Sequence, residues 1–352
     1  MFIWIQALRG LAAAMVVCHH YVAAQAGRGA DVGQWLLYFG GSGVDIFFVI
    51  SGFIMTITQL GSAGDFSARR FLARRLLRIA PLYWMLTAAA FALASLASGS
   101  INTHIDLGKF LMSMLFLPYS EPAIEMSTDA YRAYVIPMAW TLTYEWFFYL
   151  VFALALALGL RPVARLRFMA FCFTGCAVAG VACRPSAPLL QVVTSPLIFE
   201  FLLGSLVAAL HMRGMRLKDW QAGLLALAAS GVLVNIFHDS AATRVLVWGA
   251  AAFALIAAAA LSEGSKANMV FIRPFARLGD VSYSLYLSHF FTLALFVRVQ
   301  ERLYPLGDGF SPLTISVFIL LALSVATLSY RCIEEPAREF FAKRRNERSL
   351  VR

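Results

Sequence analysis

A few ionisable residues lie in stretches so apolar that each needs a partner or a task. The first such run, residues 3–24, carries Arg9 and His20, eleven positions apart. At about 100° per residue that separation turns ~1100°, three turns plus ~20°, so on a helix the two share a face ~16 Å apart along the axis. His19 points roughly 100° away. An imidazole can take a proton from a hydroxyl or accept an acyl group. The structural alternative is a helix–helix hydrogen bond at His20 and an Arg9 that snorkels to the interface.

The second run holds Gly43-Val44-Asp45 and continues to Gly52-Phe53. Its glycines and serines favour close helix packing, but Asp45 needs a cation, and a histidine is the obvious candidate. A charge at bilayer depth costs about 2.5–3.5 kcal/mol on insertion scales. Glu145, in Trp140-Thr141-Leu142-Thr143-Tyr144-Glu145, lies ~9 Å into the fourth run at 1.5 Å per residue. His20 with Asp45 or Glu145 would make a base with its orienter. The basic stretch with Arg74, Arg75 and Arg78, ending at Pro81, is either a topology signal and lipid contact or a phosphate site, since guanidinium forks bind phosphate oxygens bidentately. His289, ~13 Å into the ninth run, and Glu334, in Ile333-Glu334-Glu335-Pro336, are each either hydrogen-bonding groups of the fold or parts of a site.

The elements that must position these residues follow from composition. Of 352 residues 61% are hydrophobic and 14% charged, against about 25% charged in soluble domains. Lipid is therefore the solvent, and the expected fold is all-α: a polytopic transmembrane helical bundle of about ten spans. The runs are 3–24, 35–58, 81–98, 139–160, 167–183, 193–212, 220–237, 243–262, 280–303 and 311–332. The stretch 108–118 is too short to cross and reads as interfacial or re-entrant.

Alternating the connections from an inside N-terminus puts Arg69–Arg78, Arg161 and Arg165, Arg213–Lys218, Lys266–Arg277 and the tail from Arg338 on the inside. The outside stretch 99–138 carries Glu121, Glu125 and Asp129. Both termini are thus expected to be cytoplasmic. The 29 Lys+Arg against 19 Asp+Glu are explained by this asymmetry, with no nucleic acid as partner. Ala24-Gln25-Ala26 resembles a cleavage site, but no basic region precedes it and Arg9 interrupts the run, so the segment reads as a retained span. Cys18, Cys172, Cys176, Cys183 and Cys332 show no disulfide or metal pattern.

In order along the chain, Gln6-Ala7-Leu8-Arg9-Gly10 with His20, Gly43-Val44-Asp45 to Gly52-Phe53, Arg74 to Pro81, Trp140 to Glu145, Leu278-Gly279-Asp280 through Tyr283 to His289, and Ile333 to Pro336 resemble the acyltransferase family 3 of membrane proteins, in particular its exopolysaccharide-type members. The resemblance implies transfer of an acyl group, usually acetyl, from cytoplasmic acyl-CoA to a polysaccharide or lipid-linked sugar across the membrane. It places needed residues on Arg9 and His20, an acyl-CoA motif on Arg75 and Arg78 beside Arg74, and a carboxylate on Glu334. Glu145 matches a recurring glutamate of the fourth-span motif. Catalytic roles are thus expected at His20, Arg9, Asp45, Glu145 and Glu334, and substrate contacts at His289, Tyr283 and Trp140. Acyl-CoA is expected as co-substrate, with no resident cofactor and no metal.

Residues 1–335 are expected to form the acyltransferase domain, with 336–352 a basic cytoplasmic tail. The family often adds a trailing esterase-like domain, so this chain is expected to act alone or with polysaccharide-assembly partners. The protein is expected in the inner membrane of a bacterium. A proton-coupled exporter of a sugar or lipid would also use intramembrane His, Asp and Glu, but the sequence shows no internal repeat or paired broken helices.

Overall fold

The computed structural model describes residues 2–30, 32, 39–60, 68–96, 106–119, 133–236, 240–264, 269–303 and 310–340. Residues 35–38 of the expected second span, Glu121, Glu125, Asp129, Lys266 and the tail beyond Phe340 lie outside them. The fold is an all-α membrane bundle. Its helices are α1 (Ile3–Ala26), α2 (Gly43–Leu60), α3 (Ala68–Leu96), α4 (Leu107–Met114), α5 (Trp140–Ala157), α6 (Pro162–Cys183) and α7 (Pro188–Val193). They continue with α8 (Phe199–Met212), α9 (Asp219–Asn235), α10 (Ala241–Leu261), α11 (Met269–Asp280), α12 (Ser282–Leu303) and α13 (Pro312–Phe340).

Among the described residues, seven helices are long and apolar enough to cross a membrane: α1, the helical segment Phe39–Gln59 around α2, α3, the segment Pro137–Ala157 around α5, α6, α10 and α13. At the other three expected spans stand α8, 14 residues long, α9, 17 residues long, and α12, 22 residues long but bearing charges. Three boundaries differ from the sequence reading. The basic stretch from Arg69 is the start of α3, not a loop, and Pro81 sits inside that helix. The Tyr283 hydroxyl donates to the Ile79 carbonyl at 2.6 Å, two residues before this proline. The expected connection 263–279 contains α11, and the last helix runs past residue 335 to Phe340.

α1 is the axis of the fold. Val16 joins the apolar cluster of α2, α3 and α5; Ile5, Ala12 and Met15 join that of α2, α8 and α10; Ala13, Val17 and Tyr21 join that of α12 and α13. Two glycine contacts set how closely neighbours approach. A Cβ at Gly52 would lie 1.9 Å from the Phe201 carbonyl oxygen, and one at Gly204 1.9 Å from that of Val49, so α2 and α8 touch backbone to backbone. A Cβ at Gly279 would fall 2.0 Å from the Gln6 carbonyl oxygen, which seats α11 against α1.

α1 and α12 run parallel. Gln6 near the start of α1 donates to Asp280 just before α12 at 2.8 Å, and Gln25 near the end of α1 meets Gln300 near the end of α12 at 2.7 Å. α13 runs the other way: its Thr314 takes the Tyr21 hydroxyl at 3.0 Å, and its Glu334 takes the Ser284 hydroxyl at 2.7 Å. The start of α1 and the final turns of α13 therefore share one end of the bundle, with the basic start of α3.

Candidate active site

That end holds a cavity of about 250 Å³ enclosed by α1, α2, α3, α5 and α12. Its charged lining is Arg9, Arg78 and Glu145. Arg9 is held one turn from Gln6, whose Oε1 accepts its guanidinium at 3.1 Å. Glu145 Oε1 accepts from the Ser51 hydroxyl at 3.2 Å and from Tyr149 one turn along α5. Tyr283 lines the cavity from α12, while Glu334 lies outside the lining, bound to Ser284.

The three arginines of α3 separate by helical phase. Arg78 reaches the cavity; Arg75, one turn earlier, lays its guanidinium 5.7 Å over the Phe71 ring; Arg74 turns back to the Arg70 carbonyl at 3.3 Å. Trp140 packs edge-on to Tyr144 at 5.7 Å between centroids and is not part of the lining, to which its neighbours Thr141 and Leu142 contribute instead. Two guanidinium groups against one carboxylate make the cavity a host for an anion.

Farther along α1, His20 meets His289. His289 Nε2 lies 3.2 Å from His20 Nδ1, which is also 2.9 Å from the Val16 carbonyl; His289 Nδ1 lies 3.0 Å from the Leu285 carbonyl. A carbonyl only accepts, so His289 carries its proton on Nδ1 and offers a lone pair at Nε2. His20 then donates from Nδ1, and its own Nε2 is left unprotonated on a ring that is partly exposed. The expected orienter of His20 was Asp45 or Glu145. A buried neutral histidine takes that place, because Glu145 is engaged by Ser51 and Tyr149, and Asp45 by an arginine.

Between the cavity and the histidines stand Phe47 and Tyr286, both on the cavity wall, with ring centroids 5.8 Å apart. The Tyr286 ring is 6.3 Å from that of His289, and its hydroxyl is tied to Thr141 at 2.9 Å and to the Met138 carbonyl at 3.2 Å. Arg9 lines the cavity, and His20, eleven residues farther along the same helix, does not.

Asp45 is fully buried and paired with Arg244 by a fork: Nε to Oδ1 at 2.9 Å and Nη2 to Oδ2 at 2.8 Å. The guanidinium also lies 5.4 Å over the Trp248 ring. The expected histidine partner is thus replaced by a residue that sequence reasoning passed over, because a basic residue at the start of a span reads as snorkelling. A π-turn, Val245–Gly249, begins directly after Arg244, and a second, Tyr330–Glu334, ends on Glu334; such turns insert a residue into an α-helix and occur often at functional sites.

Glu200 was also passed over. It is fully buried, and its two carboxyl oxygens have no hydrogen-bond partner among the described residues. Its signal was available: it is a carboxylate inside the apolar run 193–212, the feature that marked Asp45.

The family described as Acyltransferase domain matches residues 2–331. The chain is 29% identical over 304 residues to the exopolysaccharide production protein ExoZ of Rhizobium meliloti (strain 1021), covering 84% of this chain and 89% of that protein. It is 27% identical to a putative membrane-bound transacylase, BcsY, of Komagataeibacter xylinus, over 81% of this chain and 71% of that one. It is 25% identical to a putative peptidoglycan O-acetyltransferase, YrhL, of Bacillus subtilis (strain 168), over 84% of this chain and 50% of the relative. No solved structure matches it.

Proposed function

The chain belongs to this acyltransferase family, acyltransferase family 3, as an integral membrane protein, and from that premise we propose that it moves an acyl group, acetyl by preference, from cytoplasmic acyl-CoA to a hydroxyl of a polysaccharide or lipid-linked sugar on the far side of a bacterial inner membrane. The cavity end faces the cytoplasm in this reading. Ten helices cross, with α8, α9 and α12 completing the seven apolar ones, and both termini are cytoplasmic. Residues 1–335 form the catalytic domain and 336–352 a basic tail.

The observation that carries the proposal lies on α1: one helix presents Arg9 to an anion-suited cavity and, eleven residues on, His20 to the Nε2 of His289 at 3.2 Å. Arg78 and Arg75 grip donor phosphates, and Arg9 holds the end of the donor nearer the wall. His20 Nε2 takes the proton of the acceptor hydroxyl as its oxygen attacks the thioester carbonyl carbon. The C–S bond breaks, and the imidazolium returns the proton to the departing thiolate. His289 accepts from Nδ1 of His20 throughout and stabilises the imidazolium. Holding donor and acceptor in line supplies much of the rate. Glu145 and Glu334 shape the charge of the donor end; Tyr283 packs against the donor, and Trp140 lies on the acceptor side.

The test compares His20→Ala with the unaltered protein by mass spectrometry of the host glycan. Loss of the ester from a variant that still inserts is the expected result; normal ester content removes His20 from the mechanism. The relatives' names, an exopolysaccharide production protein and a putative peptidoglycan O-acetyltransferase, favour a cell-surface glycan as acceptor. Family membership leaves the exporter reading without an observation of its own.

A further inference from the structure

A second cavity, about 200 Å³, opens on another face of the bundle, between α5, α6 and α8 with α2 as its floor. It lies at the end that carries the basic start of α3, since Phe152 on its wall packs 5.2 Å from Phe71 of that helix. Its mouth is formed by Val163, Leu206 and Met212, all exposed apolar residues. α6 is the most peripheral of the apolar helices, with 11% of its span buried.

Two arginines mark the cavity's charge. Arg165, in the first turn of α6, lies 5.9 Å over the Phe152 ring and uses Nε on the Leu160 carbonyl at 3.1 Å, with both Nη groups unengaged among the described residues. Arg213 follows the last residue of α8 and is exposed, with no ion-pair partner among the described residues. In the floor, the Thr56 hydroxyl is buried and has no hydrogen-bond partner among the described residues.

An apolar slot that opens sideways to lipid, capped at the headgroup level by two cations without acids, has the chemistry of one ligand. We infer that this cavity binds an anionic phospholipid, the phosphate on Arg165 and Arg213 and an acyl chain between Leu206, Leu210 and Met169. Basic pockets between helices at a cytoplasmic face recognise such headgroups. The bound lipid would fasten α6 and α8 to α5. The inference is independent of acyl transfer, and its test contains no transfer step.

The full-length protein, purified and equilibrated with equal amounts of phosphatidylglycerol and phosphatidylcholine of identical chains, is read by native mass spectrometry. Phosphatidylglycerol is retained in preference, and the double variant Arg165→Gln/Arg213→Gln retains it roughly twenty-five-fold less, at about one fivefold factor per arginine. Arg167→Gln, an exposed charge outside the cavity, leaves retention unchanged. Ala209→Leu fills the slot while keeping both arginines and also lowers retention, which covers the case of a double variant that fails to fold. Equal retention of the two lipids, or indifference to both cavity variants, overturns the inference. Displacement of the lipid by inorganic phosphate alone assigns the site to a free anion, and one-for-one displacement by acyl-CoA assigns it to the donor; either result overturns it too.

Discussion

His289 presents its Nε2 lone pair to Nδ1 of His20 at 3.2 Å, held in that tautomer by the Leu285 carbonyl 3.0 Å from its own Nδ1. A neutral imidazole thus fills the place that a carboxylate takes in the more familiar base-and-orienter pairs. It fixes which nitrogen of His20 is free without adding a negative charge to the bundle.

His289→Ala is therefore expected to lower kcat by about 100-fold, within the range for a positioned acid–base group, while KM for the acyl donor stays constant. His289→Gln keeps an acceptor oxygen and restores part of the loss. A general loss of folded protein would move both parameters and both variants alike. Steady-state kinetics with purified enzyme and a soluble acceptor glycan separate the two.

The donor end gives a complementary prediction. Arg78 is on the cavity wall while Arg74 is turned to its own helix. Arg78→Gln should raise KM for acyl-CoA at least about tenfold, the worth of one charge-assisted hydrogen bond, and Arg74→Gln should change it less than about twofold. Equal effects from the two would show that the stretch acts through its net charge and not through the phase of the helix.

The triad of Asp45, Arg244 and Glu200 makes a stability prediction. Asp45 holds Arg244 by the fork, and the fully buried Glu200 carboxyl has no hydrogen-bond partner among the described residues. Glu200→Gln replaces an unpartnered buried carboxyl by a neutral amide of the same shape and should cost less than about 1.5 kcal/mol. Asp45→Ala leaves a buried cation and should cost about 3–5 kcal/mol. Asp45→Asn falls between, because Glu200 can take over the arginine, and the double variant Asp45→Asn/Glu200→Gln falls lowest. Thermal unfolding in detergent orders the four; an additive double variant would show that the carboxyls do not share Arg244.

How much of this was legible beforehand follows from where each interaction is encoded. The Arg9–His20 spacing is encoded locally, and both residues lie on the one helix α1. Asp45 was flagged by its depth, but its partner lies 199 residues away in the chain, and no local pattern ranks Arg244 above a histidine. The His20–His289 pair spans 269 residues and depends on α1 and α12 running parallel, which hydropathy gives only as an alternation of sides. The start of α3 was misread because a basic, proline-terminated stretch looks like a loop. The helix runs through Pro81 without interruption.

The aromatic wall makes the last prediction. In this structure Phe47 and Tyr286 line the cavity with ring centroids 5.8 Å apart, and a thioester bound there, as proposed, would lie behind these rings. A reactive thioester shielded from water is not hydrolysed while it waits for an acceptor. Tyr286→Ala removes the ring, and acceptor-independent hydrolysis of acyl-CoA should then rise about tenfold relative to transfer. Tyr286→Phe keeps the ring and loses only the ties to Thr141 and Met138, so its ratio should stay near that of the unaltered enzyme. Were Tyr286 simply a packing residue, the alanine variant would lose hydrolysis and transfer in proportion. The ratio of the two, measured as free thiol released against ester formed, tests the wall and is insensitive to how much enzyme remains folded.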